Sequence, residues 1–215
     1  MPNLDERPAR QKRSFPDIRD PLFWELYERT KRYSMLQVTG LHNLYQSIRY
    51  ITANQIPGNL IECGVFLGGT SIFAALCMRH MGLASRKLFL SDTFEGFPSG
   101  SSDIKKGQVI AGRRFDNFAD LVRSNIESEL GEALEIELVQ GDVAETLPKL
   151  DAGPLSLLRL DTDFYESTRA ELAELYQARS GRRSHCGRLR DIRGLPSCDR
   201  RIFWRSFLTA PVLPR

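Results

Sequence analysis

Short apolar runs alternate with amphipathic segments along most of the chain. Four apolar runs predict buried strands, which end at Glu62, Ser91, Val139 and Leu160. Segments with apolar residues three or four positions apart predict helices over residues 70–80, 116–130, 143–150 and 165–177. Because strands and helices alternate at this spacing, the sequence predicts an α/β fold with a doubly wound, mostly parallel sheet.

Two further helices are predicted before the sheet, over residues 22–33 and 41–54. Pro21 is favoured at the start of the first, and Pro57-Gly58 closes the second. Residues 1–20 carry charges and prolines without periodicity, which predicts a flexible arm rather than a secretory signal. No apolar run approaches the ~20 residues of a membrane-spanning helix, so we expect a cytoplasmic protein without membrane contact.

The first strand leads into a glycine-rich turn, Glu62-Cys-Gly-Val-Phe-Leu-Gly-Gly-Thr-Ser71. Such a turn presents backbone N–H groups and the positive end of a helix to a ligand. The spacing matches neither the dinucleotide fingerprint nor the phosphate loop. An acid before the glycines suits an amino-acid ammonium or a nucleoside better than a pyrophosphate. The alternative is a purely structural turn between strand and helix.

An acid lies at or just beyond each predicted strand end: Glu62, Asp92, Asp142 and Asp161. Ligands of such sheets bind at the carboxyl ends of the strands, where these acids would form an electronegative floor. The alternative is that each acid caps the following helix. For Asp163, with Glu166 three residues on, the pattern indicates such a capping box.

Residues 93–114 are rich in Gly, Ser and Lys and lack periodicity. This composition predicts a flap over the site, with a plain surface loop as the alternative.

Charge divides the chain into two unlike parts. The net charge is +3, yet residues 178–215 hold ten Arg and two Asp, with no Lys or Glu. We therefore predict an arginine-rich tail over 178–215, after a domain over 21–177. Four cysteines without a C-x-x-C pair and three histidines make a metal-thiolate site or a His-based hydrolase poor candidates.

Four motifs in order resemble the macrocin O-methyltransferase family: Ile61 to Ser71, Ser91 to Pro98 (Ser-Asp-Thr-Phe-Glu-Gly-Phe-Pro), Gly141-Asp142, and Leu158 to Thr168 (Leu-Arg-Leu-Asp-Thr-Asp-Phe-Tyr-Glu-Ser-Thr). The resemblance covers about residues 57–177. It implies a Rossmann-like methyltransferase fold, S-adenosylmethionine and Mg²⁺ as cofactors, and a small-molecule hydroxyl acceptor of the sugar or natural-product type.

The resemblance also implies roles for single residues. Glu62 and Gly64 would line the methionine end of the cofactor, Asp92 would hold the ribose, and Asp142 would lie near the adenine. Asp161 would be the metal ligand and the catalytic residue. Further cofactor contacts are expected from the same two motifs, at Gly68, Thr70, Ser71, Thr93, Phe94 and Glu95.

The chain departs from the family pattern after residue 177. Where the family has a strand reading roughly Gly-Gly-Val-Ile-Val-Asp-Asp-Tyr-Gly, this chain has Ser180 to Arg190, without a carboxylate pair. Codons for that segment, read one nucleotide later, can encode the family motif. Our hypothesis is that the tail is frameshifted and the sheet truncated after its fourth strand, which would become an exposed edge, with Mg²⁺ binding weak or lost and activity impaired. The nucleotide sequence through codons 175–200 tests this.

Limited proteolysis tests the predicted division of the chain. Trypsin should cleave the tail quickly between Arg179 and Arg193, because an arginine-rich stretch of low periodicity cannot bury an apolar face. A core beginning near Pro21 should remain in the digest, identified by mass spectrometry. A tail that resists trypsin as long as the core does would contradict the division.

Three other functions remain open at this stage. The chain could be an inactive cofactor-binding remnant, a dehydrogenase on a similar sheet, or a module that binds nucleic acid through its tail. The missing pyrophosphate fingerprint disfavours the dehydrogenase, and arginines without helical spacing make nucleic acid a poor partner. A homo-oligomer is compatible with the sequence.

Overall fold

A computed structural model describes residues 14–96, 118–131, 134–179 and 203–205. Six helices longer than a single 3-10 turn are found there: α1 (Pro21–Thr30), α2 (Val38–Ala53), α3 (Gly69–His80), α4 (Ala119–Leu130), α5 (Val143–Thr146) and α6 (Tyr165–Arg179). The strands are β1 (Asn59–Cys63), β2 (Leu88–Asp92), β3 (Ile136–Gln140), β4 (Leu155–Leu160) and β5 (Phe203–Arg205). Short 3-10 turns over Lys31–Tyr33 and Leu147–Lys149 extend α1 and α5.

All strands are parallel, in the order β3-β2-β1-β4-β5. The chain runs outward from β1 through β2 to β3, then crosses back to place β4 on the other side of β1. In sheets of this kind a ligand binds where the strand order reverses, which here is at the carboxyl ends of β1 and β4. This confirms the predicted α/β class and its doubly wound parallel sheet.

The two faces of the sheet have separate apolar cores. Leu60, Leu88 and Leu157 project to the face covered by α1, α2, α3 and α4. Their neighbours Ile61, Phe89 and Leu158 project to the opposite face, where they pack with residues of α5 and α6. Every residue of β4 is buried, as expected for a parallel strand with helices on both sides.

The two N-terminal helices pack on α3 through an aromatic cluster centred on Phe23, which contacts Tyr45 and Phe73. The Asp20 side chain accepts a hydrogen bond from Leu22 N and so caps α1, whose first residue is proline, as the sequence predicts. Glu129 at the end of α4 accepts hydrogen bonds from three residues of α1 and the 3-10 turn that extends it, Arg29, Arg32 and Tyr33. These helices therefore pack against α3 and α4.

One structural consequence of the tail hypothesis is wrong. The strand β5 pairs in parallel with Leu158 to Leu160, so β4 is not an edge there and the sheet does not end at its fourth strand. The aromatic pair Phe203-Trp204 has the high strand propensity that the arginine-rich stretch before it lacks. The other residues after Arg179 lie outside the described part of the chain, as do residues 1–13 of the predicted arm and residues 97–114 of the predicted flap.

When the 3-10 turns are counted with the helices that they extend, element boundaries differ from the predictions by up to three residues. The second helix begins at Val38 rather than Leu41, and the last runs to Arg179 rather than Gln177. Within the described ranges, no helix is both long and apolar enough to cross a membrane.

Candidate functional site

The glycine turn brings the backbone of β1 against the end of β4. Gly64 has a φ of +88°, and a Cβ placed there would lie 2.2 Å from the Asp161 carbonyl oxygen. Gly68, at +85°, precedes the first residue of α3. A Cβ on Gly69 would lie 2.5 Å from Ser34 N, so the segment after α1 also approaches this turn. The missing side chains therefore allow the end of β4 and the segment after α1 to approach the backbone of the turn.

Glu62 lies near the carboxyl end of β1 and is buried, with 3% of its surface exposed. It pairs in register with Arg159 on β4, so both side chains project to the same face of the sheet. Arg159 Nη1 donates to Glu62 Oε1 at 2.7 Å, and Ser71 Oγ donates to Glu62 Oε2 at 2.5 Å. Burial raises the pKa of Glu62 to about 7, although Arg159 and Ser71 lower it.

Arg159 joins Glu62 to a second predicted site residue. Its Nη2 donates to Asp161 Oδ2 at 2.6 Å, and the Asp161 backbone N–H donates to the Cys63 carbonyl at 2.8 Å. The Asp161 side chain is 27% exposed, while that of Arg159 is only 10% exposed. The structure thus brings Glu62 and Asp161 together around one guanidinium.

Asp92 ties the glycine turn to the segment that follows β2. Its Oδ2 accepts hydrogen bonds from the backbone of Val65 at 2.7 Å and Phe66 at 3.3 Å, and its Oδ1 accepts from Phe94 N at 2.9 Å. Phe66 and Phe94 both have positive φ, +52° and +55°, which is rare for bulky residues. The carboxylate therefore holds two strained backbone segments beside the predicted ribose position.

The remaining predicted cofactor residues lie around this centre. Thr70 Oγ1 lies 3.5 Å from Ser34 Oγ, and Ser71 contacts Glu62 as described. Thr93 Oγ1 donates to the Gly96 carbonyl and accepts from Glu95 N, so it organises a turn in which Glu95 is exposed.

Asp142 matches the capping alternative. Its Oδ1 accepts from Ala144 N at 2.9 Å at the start of α5. The preceding residue, Gly141, donates its N–H to the Asp92 carbonyl at 2.9 Å, which keeps Asp142 at the same edge of the sheet. A cap uses one carboxylate oxygen, so the second is not consumed by this contact.

The capping box predicted for Asp163 and Glu166 is wrong. The helix begins at Tyr165, two residues after Asp163, and Asp163 has a φ of +66°, which is not the extended conformation of an N-cap. Glu166 instead accepts from Arg169 on the surface of α6. Burial and the neighbouring Asp161 raise the pKa of Asp163.

The described residues do not form a metal site. No group of three or more His, Cys, Asp or Glu side chains there is arranged to hold a metal ion. Asp161 contributes one carboxylate, and one of its oxygens is already bound by Arg159. A hard divalent ion needs several oxygen ligands in near-octahedral order, which Asp161 and Asp163 alone do not supply.

The comparison with known protein families decides the relationship. The family model described as macrocin-O-methyltransferase (TylF) matches residues 28–182. The chain belongs to this family. The match covers α2 in full but only the last three residues of α1.

The curated proteins that match this chain in sequence are O-methyltransferases. The 8-demethyl-8-(2,3-dimethoxy-alpha-L-rhamnosyl)-tetracenomycin-C 4'-O-methyltransferase of Streptomyces olivaceus is 31% identical over 66% of this chain. The demethyldecarbamoylnovobiocin O-methyltransferase of Streptomyces niveus is 30% identical over 67%. The match spans 57% of the length of each of these relatives.

Solved structures support the same fold. The O-methyltransferase NovP is 28% identical, with a TM-score of 0.58 over 68% of this chain and 62% of its own. The calicheamicin methyltransferase CalS11 has a TM-score of 0.61 at 22% identity, over 83% of this chain and 74% of its own, and shows the fold alone. The Rossmann-like methyltransferase fold implied by the sequence motifs is confirmed.

Sequence reasoning missed Arg159 as a site residue. In the sequence, Arg159 is a charged residue within an otherwise largely apolar strand. The pattern along one strand does not reveal which residue of the neighbouring strand lies opposite, so its pairing with Glu62 could not be predicted. Ser34 was also missed, since nothing in the sequence places the segment after α1 against Gly69.

Proposed function

We propose that this chain is an S-adenosylmethionine-dependent O-methyltransferase domain that acts on a hydroxyl group of a small molecule. The observation that carries the proposal is the buried Glu62 carboxylate beside a bare glycine turn, at the point where the strand order reverses. Membership of the macrocin O-methyltransferase family supports the reaction class. The names of the curated relatives support an acceptor of the sugar or natural-product type.

The residues present fit the cofactor. Glu62 would accept from the ammonium of its amino-acid part, and the turn from Gly64 to Gly68, with the start of α3, would lie near the methionine chain. Asp92 would hold the ribose hydroxyls, and Asp142 would lie beside the adenine. When bound, S-adenosylmethionine supplies an electrophilic methyl group on a sulfonium. The sulfonium is a cation, which a floor of carboxylates favours.

Asp161 is the residue that we assign to the acceptor side. It is the more exposed of the two carboxylates that Arg159 bridges, and its free oxygen can orient a hydroxyl or hold its proton. Magnesium has no complete ligand set among the described residues, so we assign no step to it. An inactive remnant that binds the cofactor without transferring a methyl group is the second candidate, favoured by the departure from the family pattern after residue 177.

Calorimetry with three ligands tests the function class. We expect the full chain to bind S-adenosylhomocysteine and to bind neither NAD nor a DNA duplex. Binding of NAD or the duplex without binding of S-adenosylhomocysteine would overturn the proposal. Transfer of a radiolabelled methyl group to the acceptor of a curated relative would separate the active enzyme from the remnant.

Replacing Asp92 should weaken cofactor binding. Asp92→Ala removes a carboxylate that can accept from the ribose and that also holds the Val65 and Phe94 amides. We expect S-adenosylhomocysteine to bind about 1 to 3 kcal/mol more weakly in calorimetry, the range for loss of hydrogen bonds to a charged group.

Glu127→Ala, an exposed acid on α4, is the matched control and should leave the affinity unchanged. Unchanged affinity in the folded Asp92 variant would remove Asp92 from the site. Because Asp92 also organises backbone, the melting temperature of both ligand-free variants should be measured beside the affinities.

A further inference from the structure

Arg159 is a charged residue near the carboxyl end of a buried strand. All six residues of β4 are buried, and Arg159 is the only charged one among them. Arginine in such a position destabilises a fold unless it is paired, because its charge loses water without compensation. Both of its Nη atoms are paired here, one with Glu62 and one with Asp161.

The geometry of the pairing requires a guanidinium. Nη1 contacts Glu62 Oε1 at 2.7 Å and Nη2 contacts Asp161 Oδ2 at 2.6 Å, so one planar fork spans two carboxylates. A lysine ammonium is a compact point charge on a flexible stem and does not reproduce this fork. Ser71 holds Glu62 Oε2, so the carboxylate is fixed at both oxygens.

We propose that Arg159 is a positioning residue for the amino-acid part of the cofactor, acting through Glu62. This inference rests on the proposed function. A carboxylate oxygen can accept two hydrogen bonds, so each Glu62 oxygen keeps one acceptor position for an ammonium, which has three donors. Arg159 and Ser71 determine where those positions point.

The charges of the group agree with this role. Once Glu62 is ionised, two carboxylates and one guanidinium leave a net charge of −1, which attracts an ammonium although the guanidinium alone would repel it. Asp161 therefore matters for binding as the partner that neutralises Arg159. Without Arg159, two carboxylates would lie close together with no cation between them, and Glu62 would lose one of its two fixed contacts.

Two ligands that differ in the amino-acid part test the inference. S-adenosylhomocysteine carries the ammonium and carboxylate, whereas 5′-methylthioadenosine has the same adenosine and thioether without them. In Arg159→Met we expect S-adenosylhomocysteine to bind at least about tenfold more weakly by calorimetry, as for lost hydrogen bonds to charged groups. The affinity for 5′-methylthioadenosine should stay within about twofold. Arg159→Lys should fall between wild type and Arg159→Met.

Arg86→Met is the matched control. Arg86 is also a partly buried arginine, but it donates to the Ile56 and Gly58 carbonyls at the opposite end of the sheet. Its loss should lower the melting temperature without a selective effect on S-adenosylhomocysteine. Equal weakening of both ligands in Arg159→Met would overturn the inference, and if that variant does not fold, equal weakening in Arg159→Lys would do so. Failure of the wild type to bind either ligand would instead overturn the proposed function.

Discussion

Gly64→Ala is expected to lower the free energy of unfolding by about 3 kcal/mol or more, the sum of left-handed strain and a severe overlap in a packed core. The new Cβ would lie 2.2 Å from the Asp161 carbonyl oxygen and 2.6 Å from the Asp161 carbonyl carbon. Both are backbone atoms, held by the pairing of β1 with β4, so no side chain can move aside. Urea unfolding followed by circular dichroism measures the loss.

Gly82→Ala separates the two causes. Gly82 also has a positive φ, +76°, but no atom lies within 4 Å of a Cβ built there. We expect a loss of about 1 kcal/mol from conformational strain alone. Equal losses in the two variants would show that the overlap between the new Cβ at Gly64 and the Asp161 backbone adds nothing to the loss of stability.

The sheet and its acidic edge were predictable because they depend on local patterns. Each strand is a short apolar run, and the helices between the strands have clear periodicity. In a parallel sheet the carboxyl ends of all strands lie at one edge, so acids at Glu62, Asp92 and Asp161 had to meet there. No knowledge of the strand order was needed for this conclusion.

The contacts among these acids were not predictable in the same way. The pairing of Glu62 with Arg159 depends on the register between two strands that lie far apart in the sequence. The clamp by Asp92 depends on the left-handed backbone of Phe66 and Phe94, and phenylalanine does not favour that conformation. A sequence pattern carries neither kind of information.

The capping rules gave one correct alternative and one wrong prediction. Asp142 caps α5 as an aspartate directly before a helix often does. The Asp163–Glu166 pair has the spacing of a capping box, yet α6 begins at Tyr165 and leaves Asp163 outside the cap position. The spacing alone does not fix where the first turn starts. The strand β5 was not predicted either. Its three residues near the end of the tail pair with β4, and no pattern in the tail indicates this pairing.

Glu62→Gln is expected to remove about 3 kcal/mol of pH-dependent stability. This is the free energy that corresponds to a rise in the pKa of Glu62 from 4.5 in the unfolded chain to about 7 in the folded protein. Between these two pH values the folded protein keeps the Glu62 proton, whereas the unfolded chain releases it. Stability is therefore present in full below the unfolded pKa and is lost as the pH rises through the folded pKa. Glutamine keeps the shape of the protonated acid and does not titrate.

The difference between the two proteins isolates Glu62. Burial lowers the pKa of His42 and raises that of Asp163, and both groups titrate in both proteins. Their contributions to the pH dependence of stability therefore cancel in the difference between the two proteins, because neither residue contacts Glu62. The groups that act on Glu62 are Arg159 and Ser71, which favour its charged form, and Asp161 and Asp92, which oppose it. The free energy of unfolding should be measured for both proteins from pH 5 to pH 8.

Relative to wild type, Glu62→Gln should gain stability up to about pH 7 and show little further gain above it, where Glu62 is ionised in both the folded and the unfolded state. Parallel pH profiles would contradict the raised pKa of Glu62. Saturating S-adenosylhomocysteine should reduce the slope of the wild-type profile, because a bound ammonium beside Glu62 favours the carboxylate and so lowers the folded pKa. The slope of Glu62→Gln should not respond in this way, since glutamine has no proton to release. A wild-type slope that is unchanged by the ligand would place the ammonium away from Glu62.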